Sequence, residues 1–188
     1  MAKQQLTLQA AEVAIMNQFL HDATAMNHLL STILPQNFVV DIGAPFPALL
    51  PQLSFEGATK RNRPNLKPGD AVYARVLSAS RDLEPVLTCT DAAGQASGLG
   101  QLKEGMMATV DSATARKLLG SKPAVVLEAL GSSLEFEVAA GLNGRVWVSA
   151  PNLATCVLVS RALDMSQTLT DAQVRVLVAH LLAQHQGQ

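Results

Sequence analysis

The sequence predicts an α+β protein: an amphipathic helix at the front, a small barrel or OB-type sheet in the middle, and mixed helices and strands behind a Gly-rich hinge. Three observations predict it. Apolar residues before Pro35 recur at three- and four-residue steps, the repeat of one helix face. Between residues 37 and 92 the texture changes to short alternating runs broken by Pro and Gly, the mark of a small closed or Greek-key sheet. After residue 100 both periods occur in turn, as in a domain that packs helices on one sheet face.

The elements follow in order. Residues 6–34 read as one helix, with Met16, Phe19, Ala23, Met26, Leu30 and Ile33 on a shared face and Pro35 as the stop. Residues 38–42 are a strand candidate ended by Gly43, and 48–55 a second apolar run in which Pro51 marks an edge or bend. The Pro68-Gly69-Asp70 turn leads into a strand in which Val72, Ala74 and Val76 alternate with Tyr73, Arg75 and Leu77. Residues 85–89 make a fourth candidate. The Gly-rich stretch 94–100 (GQASGLG) is the expected boundary, so that 1–36, 37–92 and 93–188 form three segments. Beyond it, Asp111 or Ser112 can cap a short helix through Leu119, with Arg116 and Lys117 near its end and Gly120 as the stop. Leu134, Phe136 and Val138 alternate with Glu135 and Glu137, residues 141–144 turn the chain, and 145–149 run back as the partner strand. Pro151 suits the first turn of a helix to about Met165. Thr170 and Gln173 form a capping-box pair for a last helix whose apolar face is Val174, Leu177, Val178, Leu181 and Leu182.

Composition narrows the function classes. Of 188 residues, 48% are apolar and only 15% charged, against a usual charged share of about 25%, which favours a chain that gives apolar surface to partner subunits. Fourteen Lys and Arg against fifteen Asp and Glu leave a formal net charge of −1, so any nucleic-acid contact must come from local clustering. Cys89 and Cys156 make neither a disulfide framework nor a zinc site, and a reducing intracellular compartment is expected. No uninterrupted apolar run reaches the ~20 residues of a membrane span, and the first thirty residues lack a signal-peptide pattern.

The chemistry-bearing residues concentrate in one loop. Lys60, Arg61, Arg63 and Lys67 fall within eight positions with no acid among them, Pro64 extends the chain at Arg63, and Asn62 and Asn65 can hydrogen-bond phosphate. Such a set can neutralise phosphates in a salt-dependent, sequence-blind way, although charge alone equally allows a solvated connection between strands. Aromatics are only 4% of the chain, so stacking at ~1–3 kcal/mol per base has little to draw on. The Gly141-Leu142-Asn143-Gly144 loop with Arg145 has the GxxG pattern that clamps phosphates in KH domains, but between two strands a hairpin turn accounts for it. Trp147, the one tryptophan, reads as a core or inter-domain anchor. Catalysis finds little support. His180 and His185 are five apart with no carboxylate between them, His21 and His28 are isolated, and Asp82, Glu84 and Asp91 lack a nuclease spacing. No cofactor or metal is expected.

Residues 54–65 (SFEGATKRNRPN), continued by 66–73 (LKPGDAVY), resemble the signature of the exosome component three family, eukaryotic cap subunits that join an S1 RNA-binding domain to a KH domain. Residues 82–89 (DLEPVLTC) are similar to the strand that closes the family's S1 barrel, and 141–148 (GLNGRVWV) to its variant KH loop with Asn in the GxNG position. The resemblance runs from about Phe38 to the C-terminus. It implies an S1-type OB-fold barrel, a KH-like α/β domain, and a noncatalytic subunit that clamps a ring of RNase-PH-like proteins beside other cap subunits. Such a subunit guides single-stranded RNA towards a separate nuclease, in the nucleus and nucleolus and also the cytoplasm. It implies that the loop of Lys60, Arg61 and Arg63 faces RNA, to which Asn62, Lys67 and Arg75 are added here as candidate RNA-binding residues, and that the loop of Gly141, Asn143, Gly144, Arg145 and Trp147 mainly braces the KH sheet. Residues 1–36 match neither the family's β-rich N-terminal domain nor its first barrel strand, so the barrel is expected to lack that strand. A free-standing S1/KH RNA-binding adaptor is the alternative reading.

Overall fold

The computed structural model describes residues 25–44, 46–80, 83–120 and 124–186. The chain divides into two compact units that part between Lys103 and Glu104.

The first unit is a closed barrel. Its strands are β1 (Ala25–Ile33), β2 (Asn37–Asp41), β3 (Ala48–Pro51), β4 (Ala71–Ser78), β5 (Val86–Thr88) and β6 (Gly100–Leu102). They lie in the order β1-β2-β3-β5-β4-β6, and a further pairing of β1 with β4 closes five of them into a ring. Only β3 and β5 run parallel. This is the Greek-key order of an OB-fold. Leu30, Phe38, Val40, Leu50, Val72 and Leu87 fill the interior.

The barrel is complete, which corrects the expectation of a helix over residues 6–34 and of an absent first strand. Residues 25–33 are a strand that serves both neighbours, with Leu30 opposite Val40 on one side and His28 opposite Val72 on the other. The helical spacing of Met26, Leu30 and Ile33 is coincidental: Leu30 is buried, whereas Ile33, on the same supposed face, is exposed. Two ladders of backbone hydrogen bonds override a local preference of a few tenths of a kcal/mol per residue. The rest of that expected helix, residues 6–24, lies outside the described residues.

The glycine-rich stretch 94–100 is likewise not where the units part. β6 pairs with β4, placing Tyr73 opposite Gly100, so the sheet runs past the expected end at residue 92. Tyr73, expected on the outer face, is buried; its opposite partner has no side chain to compete for that space. The loop before β6 is organised by Asp91, whose carboxylate accepts from Ser97 Oγ at 2.6 Å, Ala93 N at 2.8 Å and Gln95 N at 2.9 Å. The Ser97 hydroxyl, then the Gln95 amide, hold this carboxyl below its ordinary range. A carboxyl depressed in the folded state adds stability above its unfolded pKa of about 3.9, and that stability is lost as pH falls through the folded value. The Ala93 and Gln95 amides should therefore lose exchange protection below about pH 4; unchanged protection in acid would show that the carboxylate is not what orders the loop.

Burial pushes the Cys89 thiol up to about 12. At pH 8 its thiolate is then about one part in ten thousand. Iodoacetamide should leave Cys89 unmodified in the native protein and alkylate it in denaturant, as read by peptide mass; rapid native labelling would contradict the buried setting.

The second unit packs helices on one face of a three-stranded antiparallel sheet. Strands β7 (Met106–Thr109), β8 (Glu137–Ala140) and β9 (Arg145–Ser149) lie in the order β7-β9-β8. The helices are α1 (Ser112–Leu118), α2 (Val125–Gly131), α3 (Leu153–Ser166) and α4 (Asp171–Gln186). Val146 and Val148 of β9 meet Leu130, Val159, Leu163 and Val178 in one core. Asp111 caps α1, its side chain accepting from Thr114 N at 2.7 Å, and contact with Thr114 lowers its pKa. Ahead of α4, Thr170 N donates to Gln173 Oε1 at 3.0 Å, one half of the expected capping box. Val174, Val178 and Leu181 are buried on the expected face.

Candidate nucleic-acid interface

The cationic run lies in the long connection between β3 and β4. Both its ends are fixed to the barrel. Phe55 bridges to Cys89, Cys89 N donates to Ser54 O at 2.9 Å, and the Phe55 ring meets Phe38 edge-on with centroids 6.2 Å apart. Leu66, at the far end, is buried. Gly57 takes φ +66, a left-handed conformation that closes the turn from Phe55 to Ala58.

Between these anchors the chain makes a tight reverse turn. Thr59 N donates to Asn62 O at 2.9 Å and Asn62 N to Thr59 O at 3.1 Å. Thr59 Oγ1 also accepts from Asn62 N at 3.0 Å. Lys60 and Arg61 are the two residues at its tip, and both are exposed. Asn62 is thus a turn-closing residue by its backbone, a role that charge counting does not reveal.

Arg63 is placed differently. Its Nη1 donates to Pro35 O at 3.0 Å, in the turn between β1 and β2, and to Gln52 Oε1 at 3.1 Å. Gln52 is buried beyond the end of β3, and its Nε2 donates to Leu34 O at 2.9 Å. The cationic connection is therefore held against the β1–β2 turn, one of the two loops that flank the ligand face of an OB-fold. Lys67 is exposed, its amide donating to Asp70 Oδ2 at 2.8 Å. Arg75, on β4, donates through Nε to Thr90 O at 2.7 Å and lies near enough to Asp91 to lower its pKa. The structure thus brings Lys60 and Arg61 together at one tip, bonds the exposed Arg63 to Pro35 and Gln52, and sets Arg75 across the sheet at the end of β5. Sequence reasoning did not find Gln52, Thr59 or Pro35. Only the Thr–x–x–Asn spacing around two central residues, a tight-turn pattern, could have signalled any of them.

The GxNG loop joins β8 to β9. Gly141 N donates to Arg145 O at 2.9 Å, Gly144 N to Gly141 O at 3.0 Å, and Val110 N to Gly144 O at 2.7 Å. Asn143 Oδ1 accepts from Arg145 N at 3.3 Å. Both glycine amides are engaged within the hairpin, and both glycines are buried, so neither glycine N–H is offered to a phosphate. Trp147 is buried, and a Cβ on Gly105 would collide with its indole. Among the described residues no group of three or more His, Cys, Asp or Glu could hold a metal ion, and no helix is long and apolar enough to cross a membrane.

Residues 29–100 match the family model described as the S1 domain of the exosome complex component RRP40, and residues 105–154 match a KH domain. The RRP40 exosome component of Schizosaccharomyces pombe is 45% identical over 140 residues, covering 73% of this chain and 58% of its own. The human RRP40 component is 37% identical over 145 residues, covering 77% and 52%. An archaeal exosome component Rrp4, from Sulfurisphaera tokodaii, is 27% identical over 145 residues, covering 75% and 55%. A crystal structure described as that of an exosome complex RNA-binding protein superposes with a TM-score of 0.70 at 20% identity, covering 87% of this chain and 95% of its own, a likeness of fold. The chain spans between 52% and 58% of the length of these curated relatives. By these matches the chain carries an S1 domain similar to that of the RRP40 exosome component, followed by a KH domain.

Proposed function

We propose that this chain is a noncatalytic, RNA-guiding cap subunit of an RNA exosome, seated with other cap subunits on a ring of RNase-PH-like proteins. In this reading Lys60 and Arg61 touch the phosphates of single-stranded RNA on its way to a separate nuclease, and Lys67 adds charge beside them. The KH hairpin of Gly141, Asn143, Gly144, Arg145 and Trp147 serves as a brace. The particle works in the nucleus and nucleolus and in the cytoplasm. The observation that carries the reading is the two-residue tip bearing Lys60 and Arg61, fixed against the β1–β2 turn of an RRP40-type S1 barrel. With little aromatic surface, contact through phosphates gives modest, sequence-blind affinity.

The test measures binding of a labelled single-stranded RNA by fluorescence anisotropy across a salt series. Each phosphate contact on a single strand contributes about 0.7 to the slope of log affinity against log salt. Two contacts give about 1.4 log units between 1 M and 0.1 M salt, so Lys60→Ala/Arg61→Ala should bind about 25-fold more weakly at 0.1 M, evenly across sequences. Unchanged affinity would mean that the tip faces protein. Membership of the particle is tested by affinity purification: ring proteins should co-purify, and a chain that migrates at its own mass in native extract would point to a free adaptor.

A further inference from the structure

Arg63 belongs by sequence to the cationic cluster, yet its environment differs from that of Lys60 and Arg61. One guanidinium nitrogen serves two oxygens on two different elements, the Pro35 carbonyl and the Gln52 side chain. Gln52 in turn uses its own amide nitrogen to hold the Leu34 carbonyl. The backbone supports the same junction, with Gln52 N donating to Gln36 O at 3.0 Å and Leu34 N to Asn37 O at 2.8 Å. Arg63 therefore ties the segment just after the tip to the β1–β2 turn through a bridge that ends on a buried glutamine.

We infer that Arg63 is a positioning residue: it latches the Lys60–Arg61 tip to the β1–β2 turn instead of contacting phosphate itself. This rests on the RNA-guiding reading of the tip. A tip that is already ordered loses less conformational freedom when it meets a strand, so the latch raises affinity without adding a phosphate contact. A guanidinium suits the task because the two hydrogens of its Nη1 are fixed in the guanidinium plane and reach the two acceptors from a set position, whereas a lysine ammonium is a freely rotating point charge on a flexible stem that ends at a different place.

Charge and geometry make opposite predictions for the conservative variant. Arg63→Lys keeps the charge and loses the bridge. In the full chain it should weaken single-stranded RNA binding about as much as Arg63→Ala, roughly tenfold, while leaving the salt slope unchanged. Gln52→Ala removes no charge, yet it should weaken binding in the same sense, and combining it with Arg63→Lys should add little because both break one bridge. Amide exchange at residues 59–62 should quicken in all three variants, with the melting of the barrel as a check that each folds. The inference is overturned if Arg63→Lys binds as the wild type does while Arg63→Ala lowers the slope by about 0.7, the signature of a direct phosphate contact. It is also overturned if exchange at the tip is unmoved. Should Lys60→Ala and Arg61→Ala leave affinity and slope unchanged, the RNA reading of the tip itself falls, and the latch's role in RNA binding falls with it.

Discussion

Gly144→Ala should destabilise the second unit by about 3 kcal/mol, a sum of two costs. Gly144 has φ +78, and an alanine there carries the penalty of left-handed backbone, roughly 1–2 kcal/mol. In addition, its Cβ would run into the carbonyl oxygen of Val110, which is backbone and cannot swing aside. Moving Val110 disturbs the bond from its amide to Gly144 O, at roughly 1–3 kcal/mol for a buried group left unpaired. Trp147, three residues along on β9, is the single tryptophan and reports the transition by its emission. A urea titration should show the midpoint falling. Gly69→Ala, which lies in the barrel and is followed there by amide exchange of β1 and β4 in the same urea series, is the comparison: Gly69 has φ +94 with open space around the missing Cβ, so only the backbone cost of roughly 1–2 kcal/mol applies. Equal effects of the two substitutions would show that close packing of the hairpin on Val110 contributes nothing. A Gly144→Ala protein that stays fully stable yet loses RNA binding would give this loop a direct role at the strand.

The turn and the return strand of that hairpin were legible in the sequence, whereas the first strand, expected from the alternation of Leu134, Phe136 and Val138, begins only at Glu137 and runs to Ala140. Paired glycines between two alternating runs specify a turn and its strands locally. The last helix announced itself by the Thr170–Gln173 cap and by an apolar face that recurs from Val174 to Leu182, and the helix before it starts close to where Pro151 suggested, with the proline just ahead of the Asn152 cap and not in the first turn. β7 carries four residues without alternation, β6 three, and α2 starts on two valines; each is held by partners distant in sequence, which no local pattern records. The candidate interface was half legible. A local cluster of positive charge in a chain of net charge −1 located it, and the resemblance of residues 54–65 to a known signature gave it a meaning. Charge could not separate Lys60 and Arg61, at the exposed tip, from Arg63, whose partners are a backbone carbonyl 28 residues away and a glutamine side chain. Nor could it show that Arg75 is bonded across the sheet to Thr90.

The most consequential misreading concerned β1, and it leads to the other large prediction: Leu30→Asp should destabilise the barrel by about 4 kcal/mol or more. On an amphipathic helix outside the barrel, Leu30 would be one of several apolar contacts, and its loss would be tolerated. In the structure its side chain is 2% exposed, its backbone faces Val40 across the β1–β2 ladder, and its amide donates to Asp70 O while its carbonyl accepts from Gly69 N. It thus sits where the strand that closes the ring meets the turn leading into β4. An ionised carboxylate there would lose its water with no cation among its backbone neighbours, so it must take up a proton or force the strand out. The destabilisation should shrink as pH falls, because the neutral acid is cheaper to bury. Amide exchange of β2 and β4 should become fast together, since each is hydrogen-bonded to β1. If Leu30→Asp left those amides protected and the thermal transition in place, the closure of the barrel by residues 25–33 would be refuted.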